Sequence, residues 1–456
     1  MNRPAHRLLI AGTNSGCGKT TVVCAILQAL KNRGLDVGSC KCGPDYIDPM
    51  FHREVIGLPS RNIDLFFSPE EEARRDFAAS AREYTVIEGV MGFYDGLSMT
   101  SEAASSYAVA RTLSAPAVLV VNARGMALSA AAAVKGFLEL RTPNPIRGVI
   151  LNGVSEMSCG LLKEAVERET GVTVYGCLPR SGDYALESRH LGLITAQEIT
   201  DLRERLGKLA EQAERSIDLD GLLRLMESAP ELEYEPRPVK KLGDVTVAVA
   251  SDRAFCFYYP ANLELLEALG ARLVPFSPLT DQSLPECDGL LLGGGYPELY
   301  AGELSENVSM RRSVKAAVEG GLPTVAECGG FMYLMRSLGG AEQVGVFDTA
   351  CENTGRLRRF GYVTLRAESE SLLFAPGDTI RAHEFHYWDA DRPGDALLAE
   401  KPGGRSWRCA YVGDTVYAGY PHLYFPSGRR AAERFIEKCI ERRNRREADG
   451  DRKTQL

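Results

Sequence analysis

No apolar run in this chain approaches the roughly 20 residues that a membrane-crossing helix needs. The apolar part of Met1 to Ile10 is also too short for a secretory signal peptide. An excess of basic charge is missing too. The 53 Lys and Arg residues stand against 61 Asp and Glu, for a net charge of −8. That balance argues against wholesale nucleic-acid binding, and an anionic substrate would need a local basic patch. The chain has 12 cysteines but no paired spacing. Scattered through a long chain without a secretory segment, they read as reduced thiols in the cytoplasm. Cys40 and Cys42 form only a C-x-C pair, too little for a metal site. There are no internal repeats and no low-complexity tracts. These absences leave a cytoplasmic protein without a membrane or nucleic-acid partner.

A chain of 456 residues exceeds one ordinary domain. Arg7 to Ala11 reads as a buried strand, followed by a Gly loop and an apolar helix from Lys19 to about Arg33. Thr85 to Glu88, Ala117 to Val121 and Gly148 to Leu151 read as further buried strands, with helical stretches between them. Such alternation predicts a doubly wound parallel sheet. Charged helices fill Ala196 to Glu227. Ser228 to Gly243, with three prolines, reads as a linker. Val245 to Val249 then restarts the strand pattern. The reading is therefore α/β: two doubly wound parallel-sheet domains at 1–227 and 244–440, a linker at 228–243, and a charged, frayed tail at 441–456.

The first Gly loop is Gly12-Thr13-Asn14-Ser15-Gly16-Cys17-Gly18-Lys19-Thr20-Thr21. It follows a strand and opens a helix, the context in which backbone N–H groups surround the phosphates of ATP. Lys19 supplies a charge to the β- and γ-phosphates, and the Thr20 hydroxyl can ligate Mg²⁺. Thr13 stands where the usual pattern begins with Gly. Glu88 ends a strand at the carboxyl edge of the sheet, where a carboxylate can reach Mg²⁺. The loop Lys41 to Pro49 offers Asp45 or Asp48 to the metal and Lys41 to phosphate. Asn152, after another strand, has an amide suited to adenine.

The second constellation centres on Cys328, in Ala326-Glu327-Cys328-Gly329-Gly330. A strand entering a Gly-flanked turn lifts a nucleophile to the top of a parallel sheet. Upstream lies Gly293-Gly294-Gly295 and downstream Tyr420-Pro421-His422. The thiol, Gly-rich loop and late histidine imply a cysteine amidotransferase domain. His383 and His386 do not match the H-E-x-x-H zinc pattern and read as structural or interdomain residues.

These motifs resemble one family. Gly12 to Thr20 resembles the phosphate loop of dethiobiotin synthetase and its relatives, a P-loop NTPase-like domain. Lys41 to His52 (KCGPDYIDPMFH) looks like the signature loop of cobyrinate a,c-diamide synthases. Ile87 to Gly96 (IEGVMGFYDG), Glu187 to Leu193 (ESRHLGL), Arg253 to Asn262 (RAFCFYYPAN) and His383 to Trp388 (HEFHYW) look like the same group. The second domain is similar to class I glutamine amidotransferases. The resemblance implies amidation of the a and c acetates of cobyrinic or hydrogenobyrinic acid in cobalamin biosynthesis. ATP would activate each carboxylate as an acyl phosphate, with Mg²⁺ as cofactor and L-glutamine as nitrogen source. Lys19, Thr20, Asp45 or Asp48, and Glu88 would serve ATP and Mg²⁺. Asn152 would lie near adenine, and Lys41 and Tyr46 near the substrate carboxylate. Cys328 would attack glutamine, with His422 as base and then acid. Gly294, Gly295 and Gly329 would form the oxyanion hole.

One departure stands out. The common amidotransferase pattern has Glu two residues after the histidine, where this chain has Tyr424, so the group orienting His422 is not legible. Nickel sirohydrochlorin stays open as an alternative macrocycle. Cobyric acid synthase is disfavoured by Gly43-Pro44-Asp45-Tyr46. A partitioning or regulatory ATPase of the deviant phosphate-loop kind is disfavoured by Asn14 and by the second domain. Cobalt status, the order of amidation and a homodimeric state are likewise left open.

Overall fold

The computed structural model describes residues 5–182 and 196–454, so the motif at 187–193 lies outside the described residues. The chain divides into two compact units, Met1–Pro236 and Arg237–Leu456. The division falls inside 228–243, a stretch with neither helix nor strand. Among the described residues no helix is long and apolar enough to cross a membrane.

In the first unit the strands are β1 (His6–Gly12), β2 (Val37–Cys42), β3 (Ser60–Ile63), β4 (Tyr84–Glu88), β5 (Ala117–Asn122), β6 (Ile146–Asn152) and β7 (Thr173–Leu178). The helices are α1 (Lys19–Asn32), α2 (Ile47–Phe51), α3 (Glu70–Ser80), α4 (Ser106–Thr112), α5 (Ser129–Glu139), α6 (Glu156–Thr170), α7 (Ala196–Ser216) and α8 (Leu219–Glu227). The sheet order is β3-β2-β4-β1-β5-β6-β7, and every pair is parallel. Strand side chains alternate between faces, so a sheet covered on both sides must be apolar at successive positions. β1 meets this demand: Leu8 and Ile10 join one core with α1 and α7, while Leu9 and Ala11 join the other. The chain leaves β1 toward β2 on one side and reaches β5 on the other. That reversal opens a crevice at the carboxyl end of β1, next to β4. Buried Arg7 fixes the exit from α8 by donating to the carbonyls of Leu113 and Pro230, at 2.5 and 2.7 Å.

The second unit contains β8 (Val245–Ala250), β9 (Phe255–Phe257), α9 (Pro260–Leu269), β10 (Ala271–Phe276), β11 (Gly289–Leu292), β12 (Gly294–Gly295), α10 (Ala301–Glu306) and α11 (Val308–Glu319). They are followed by β13 (Thr324–Glu327), α12 (Gly329–Leu334), β14 (Met335–Leu338), β15 (Ala341–Glu342), β16 (Phe347–Ala367), β17 (Thr379–Ala390), β18 (Leu397–Glu400) and β19 (Ser406–Cys409). The last elements are β20 (Tyr411–Val412), β21 (Val416–Gly419), β22 (His422–Leu423) and α13 (Arg429–Thr454). One sheet runs β10-β8-β11-β13-β21-β20, parallel except for its β20 edge. The unit adds a second, mostly antiparallel sheet, β15-β14-β16-β17-β22, from which β18 and β19 branch. The long β16–β17 hairpin dominates that sheet and is absent from the sequence reading.

Two local expectations are corrected. The stretch from Glu441 does not fray but continues α13 to Thr454. Ion pairs one turn apart, such as Arg445–Glu441 and Arg443–Glu447, support the helix despite its charge. Nor are all thiols reduced: Cys159 and Cys177 form a disulfide across Cα atoms 6.0 Å apart. α6 ends at Gly171, in the left-handed region, and the chain turns directly into β7. That turn brings together two cysteines whose spacing alone suggests nothing.

Candidate functional site

The carboxyl edge of the first sheet gathers most of the predicted nucleotide residues. β1 ends at Gly12 and α1 starts at Lys19, with Gly18 at its N-cap in the left-handed region at φ 95°. A Cβ on Gly18 would stand 1.9 Å from Asn152 Nδ2. Asn152 donates that nitrogen to the Cys17 carbonyl at 2.9 Å. Asn152 thus braces the loop from β6, a role its sequence position does not reveal. Lys19 is buried, its Nζ donating to the carbonyls of Met91 at 2.5 Å and Asn14 at 3.3 Å. Burial lowers its pKa.

Beside the loop sits a buried charge cluster. Lys41 stands next to last in β2 where Glu88 ends β4, and the two are register partners. Lys41 Nζ lies 2.9 Å from Glu88 Oε1 and 2.5 Å from Asp48 Oδ2. Thr20 donates its hydroxyl to Glu88 Oε1 at 2.7 Å, so α1 is tied to the same carboxylate. Asp45 accepts the Ile47 N–H at 2.9 Å. Desolvation, aided by Asp48, raises Glu88 to about 7 and Asp45 to about 6. Burial opposes charge on Asp48 and Lys41 as well, but their mutual attraction wins, lowering the first and raising the second. Lys41, expected to face phosphate, is therefore directed at the acids. Tyr46 stands at the N-cap of α2, largely buried.

His52 is a member of this cluster that sequence reasoning missed. It is fully buried, with Nδ1 3.0 Å from Ser39 Oγ and Nε2 3.6 Å from Glu88 Oε2. Desolvation holds it down at about 4, so it is neutral at pH 7. Its place at the end of the Lys41–His52 motif was the available signal. No group of three or more His, Cys, Asp or Glu among the described residues has metal-ligating geometry. Lys41 supplies the cation inside the acid cluster. The donors nonetheless suit Mg²⁺: Glu88 Oε2 is buried without a hydrogen-bond donor among the described residues, next to the Thr20 hydroxyl.

The second unit assembles the predicted amidotransferase residues. Cys328 follows β13 at φ 47°, a strained value for a residue with a Cβ. Its N–H donates to the Gly419 carbonyl at 2.8 Å. The glycines are needed because space is absent. A Cβ on Gly330 would meet the Leu292 carbonyl at 2.2 Å, and one on Gly294 would meet His422 Cε1 at 2.4 Å. A Cβ on Gly329 would lie 3.1 Å from the Gly295 N, so the two glycine segments approach each other closely. The sequence context implied an activated thiol, but burial pushes Cys328 well above its ordinary value, with Glu298 and Glu384 adding to the rise. α12 spans only six residues and offers little dipole to offset this. At rest the group is a thiol that needs a base.

His422, the predicted base, has an acidic neighbour which sequence reasoning also missed. Tyr424 follows β22 and packs edge-on against Tyr259, with ring centroids 5.6 Å apart. The nearby acid is Glu327, the residue just before the nucleophile. Its Oε1 accepts the Leu423 N–H at 3.2 Å, and its Oε2 lies 3.7 Å from His422 Nδ1. No spacing rule pairs residues this far apart in the chain. The only hint was an acid buried in an apolar strand. His386 is engaged elsewhere, 2.8 Å from Glu384 Oε1 and stacked 3.9 Å from the Tyr420 ring. Burial lowers His383 to about 3, which keeps it neutral.

Comparison with known proteins follows this division. Residues 8–194 match the CobQ/CobB/MinD/ParA nucleotide binding domain, and residues 246–430 match the CobB/CobQ-like glutamine amidotransferase domain. The chain is 41% identical to a cobyrinate a,c-diamide synthase of Caldanaerobacter subterraneus, covering 94% of this chain and 98% of that protein. It is 40% identical to one from Listeria innocua, covering 92% and 96%. A Methanothermobacter thermautotrophicus protein of the same name is 43% identical, covering 84% and 87%.

Glutamine is isosteric with Glu327 and can still accept the Leu423 N–H. Glu327→Gln should therefore fold normally yet lower glutamine-driven turnover about 100-fold, because the imidazole loses its orienting charge. Ammonium-driven turnover should not change. The alkylation rate of Cys328 by iodoacetamide should fall across pH 6–9. Wild-type glutamine turnover in this variant would remove Glu327 from the site.

Proposed function

Because the chain belongs to the cobyrinate a,c-diamide synthase family, we propose that it amidates the a and c acetate carboxylates of cobyrinic acid, or hydrogenobyrinic acid, in cobalamin biosynthesis. It is a carbon–nitrogen ligase that uses glutamine as amido donor and ATP as activator. The observation that carries this reading is the presence of two complete constellations in one chain, each matching its own domain family.

A carboxylate is a poor acyl donor because oxide would have to leave. Attack of a carboxylate oxygen on the γ-phosphorus of ATP releases ADP and leaves an acyl phosphate. Ammonia then attacks the acyl carbon, phosphate departs, and the nitrogen loses a proton. Most of the barrier is lowered by positioning and charge neutralisation. Lys19 neutralises the transferring phosphoryl group, and the backbone from Thr13 to Gly18 holds the phosphates. Thr20, Glu88 and Asp45 or Asp48 would hold Mg²⁺, which when bound neutralises phosphate charge. Lys41 ties the Asp48 and Glu88 side chains together, so the cluster is preorganised before ligand arrives.

Ammonia comes from the second site. His422 takes the Cys328 proton, and the sulfur attacks the glutamine amide carbon. The oxyanion is met by the N–H groups of Gly295 and Gly329, together with Gly294. Each such donor contributes roughly 3–4 kcal/mol. His422 returns the proton to the leaving nitrogen, and water hydrolyses the thioester to glutamate.

Cys328→Ala should abolish glutamine use and retain synthesis with high ammonium, whereas Lys19→Ala should remove synthesis with either nitrogen source. Mass analysis of corrin products distinguishes the two. Equal loss with both nitrogen sources in Cys328→Ala would overturn the two-site scheme. Near-normal ammonium-driven synthesis in Lys19→Ala would overturn the phosphate-loop assignment.

Tyr46 lies on the loop between Lys41 and Asp48, and a loop leaving the carboxyl end of such a strand faces the ligand crevice. Tyr46→Ala should raise the corrin KM or make monoamide accumulate, with ATP and glutamine KM little changed. Steady-state kinetics with weighing of mono- and diamide checks this. Wild-type product ratios and corrin KM would show that Tyr46 does not read the substrate.

A further inference from the structure

The glutaminase chemistry leaves a basic cleft on the β16–β17 hairpin unused. The cleft has a volume of about 520 Å³ and is lined by Arg356, Arg358, Arg359 and Arg405, with Asp389 as its one acid and Trp407 on one wall. Four guanidinium groups against two carboxylates, Asp389 and the Glu384 behind Arg359, is a local excess in a chain of net charge −8. The cleft is built rather than incidental. β16 breaks register with β17 between Asn353 and Arg358 and again between Arg358 and Gly361. Bulges of this kind re-aim side chains. Arg359 sits in the left-handed region at φ 42°, a strain that the surrounding structure must hold in place. Its Nε is 3.2 Å from the buried Glu384 carboxylate, and both Arg358 and Arg359 pair with Asp389. Arg405 lies over the Trp407 ring at 5.9 Å. Arg356 and Arg405 are exposed and make no ion pair among the described residues. They are the groups available to a ligand.

An exposed aromatic row continues along the same hairpin. The rings of Phe360 and Phe385 are 5.5 Å apart, and those of Phe385 and Tyr387 are 5.9 Å apart. Each of the three residues is nearly half exposed. Guanidinium forks bind carboxylates bidentately, and flat apolar rings suit a macrocycle. We propose that this cleft is a carboxylate-binding site for the corrin, so the second unit binds the macrocycle as well as making ammonia. The inference rests on the corrin reading of the preceding section.

The test uses the full chain with Arg356→Ala/Arg405→Ala and Arg356→Glu/Arg405→Glu, both at exposed positions without ion pairs among the described residues. Corrin KM is measured with saturating ATP and ammonium, glutamine KM separately, and cobyrinic acid binding by equilibrium dialysis without ATP. The neutral pair should raise the corrin KM about tenfold and the reversed pair more, with dialysis affinity falling in parallel. The difference should shrink in 0.5 M salt, because added salt shortens the Debye length and screens exposed charges. Turnover at saturating corrin and the glutamine KM should stay as in the wild type. Wild-type corrin KM in both variants overturns the proposal. So does a rise confined to the glutamine KM, which would assign the cleft to glutamine. A wild-type protein that leaves cobyrinic acid unamidated sinks the functional reading instead. The cleft is then decided by dialysis: retained affinity for cobyrinic acid in both variants overturns it, and lost affinity upholds it.

Discussion

The buried ion pair between Lys41 and Glu88 is the constraint on which the ATP end depends. Glu88 has no solvent exposure and Lys41 only 5%. Two charges taken out of water are expensive, and their attraction offsets the cost only if every remaining atom is well placed. That requirement reaches into each neighbouring element. Thr20 must stand at the first turn of α1, Asp48 at the start of α2, and His52 behind Glu88. The phosphate loop is thereby held against β4 before any nucleotide arrives. Removing Lys41 would strand two carboxylates in a desolvated site. Removing Glu88 would free Lys41 and Thr20 together. Such a cluster is weak evidence for stability and stronger evidence for specificity of position, which phosphoryl transfer demands.

The second unit solves its positioning problem by steric exclusion instead of charge. Glycines at 293–295 and 329–330 let three backbone segments approach closer than any side chain would allow. The approach leaves Cys328 in a strained conformation and sets the His422 ring over Gly294. Both sites stand at the carboxyl ends of parallel strands, where chain direction turns backbone donors toward a ligand.

The parts of this design legible in the sequence are the local ones. The strand–loop–helix around Lys19 and the strand–elbow–helix around Cys328 each lie within about 15 contiguous residues, so periodicity and Gly placement revealed them. Partnerships that form through the sheet were not legible. The pairing of Lys41 with Glu88 was not legible because the register that sets them side by side belongs to β2 and β4, not to the loop of Lys41. The bond from Asn152 to Cys17 was not legible because it joins the end of β6 to the loop after β1. The β16–β17 hairpin escaped notice because its bulges interrupt the period-two alternation that marks a strand.

Burial of Cys328 and the position of Glu327 have a joint consequence for how glutamine is used. Desolvation holds the thiol protonated, so attack requires His422 to be correctly turned. Glu327 lies 3.7 Å from His422 Nδ1, within ion-pair range but beyond a hydrogen bond. Catalytic hydrogen bonds are often long without substrate and tighten only in the reacting complex. A Glu327 carboxylate already fixed by the Leu423 N–H moves as one body with β22, which carries His422 itself. A rotation of the His422 side chain that closes the gap, with β22 in place, would orient the base on the proposed roles. On the proposed roles, a thiol that stays neutral until then would spare glutamine, which is the economy expected where free ammonia without an activated carboxylate would be wasted.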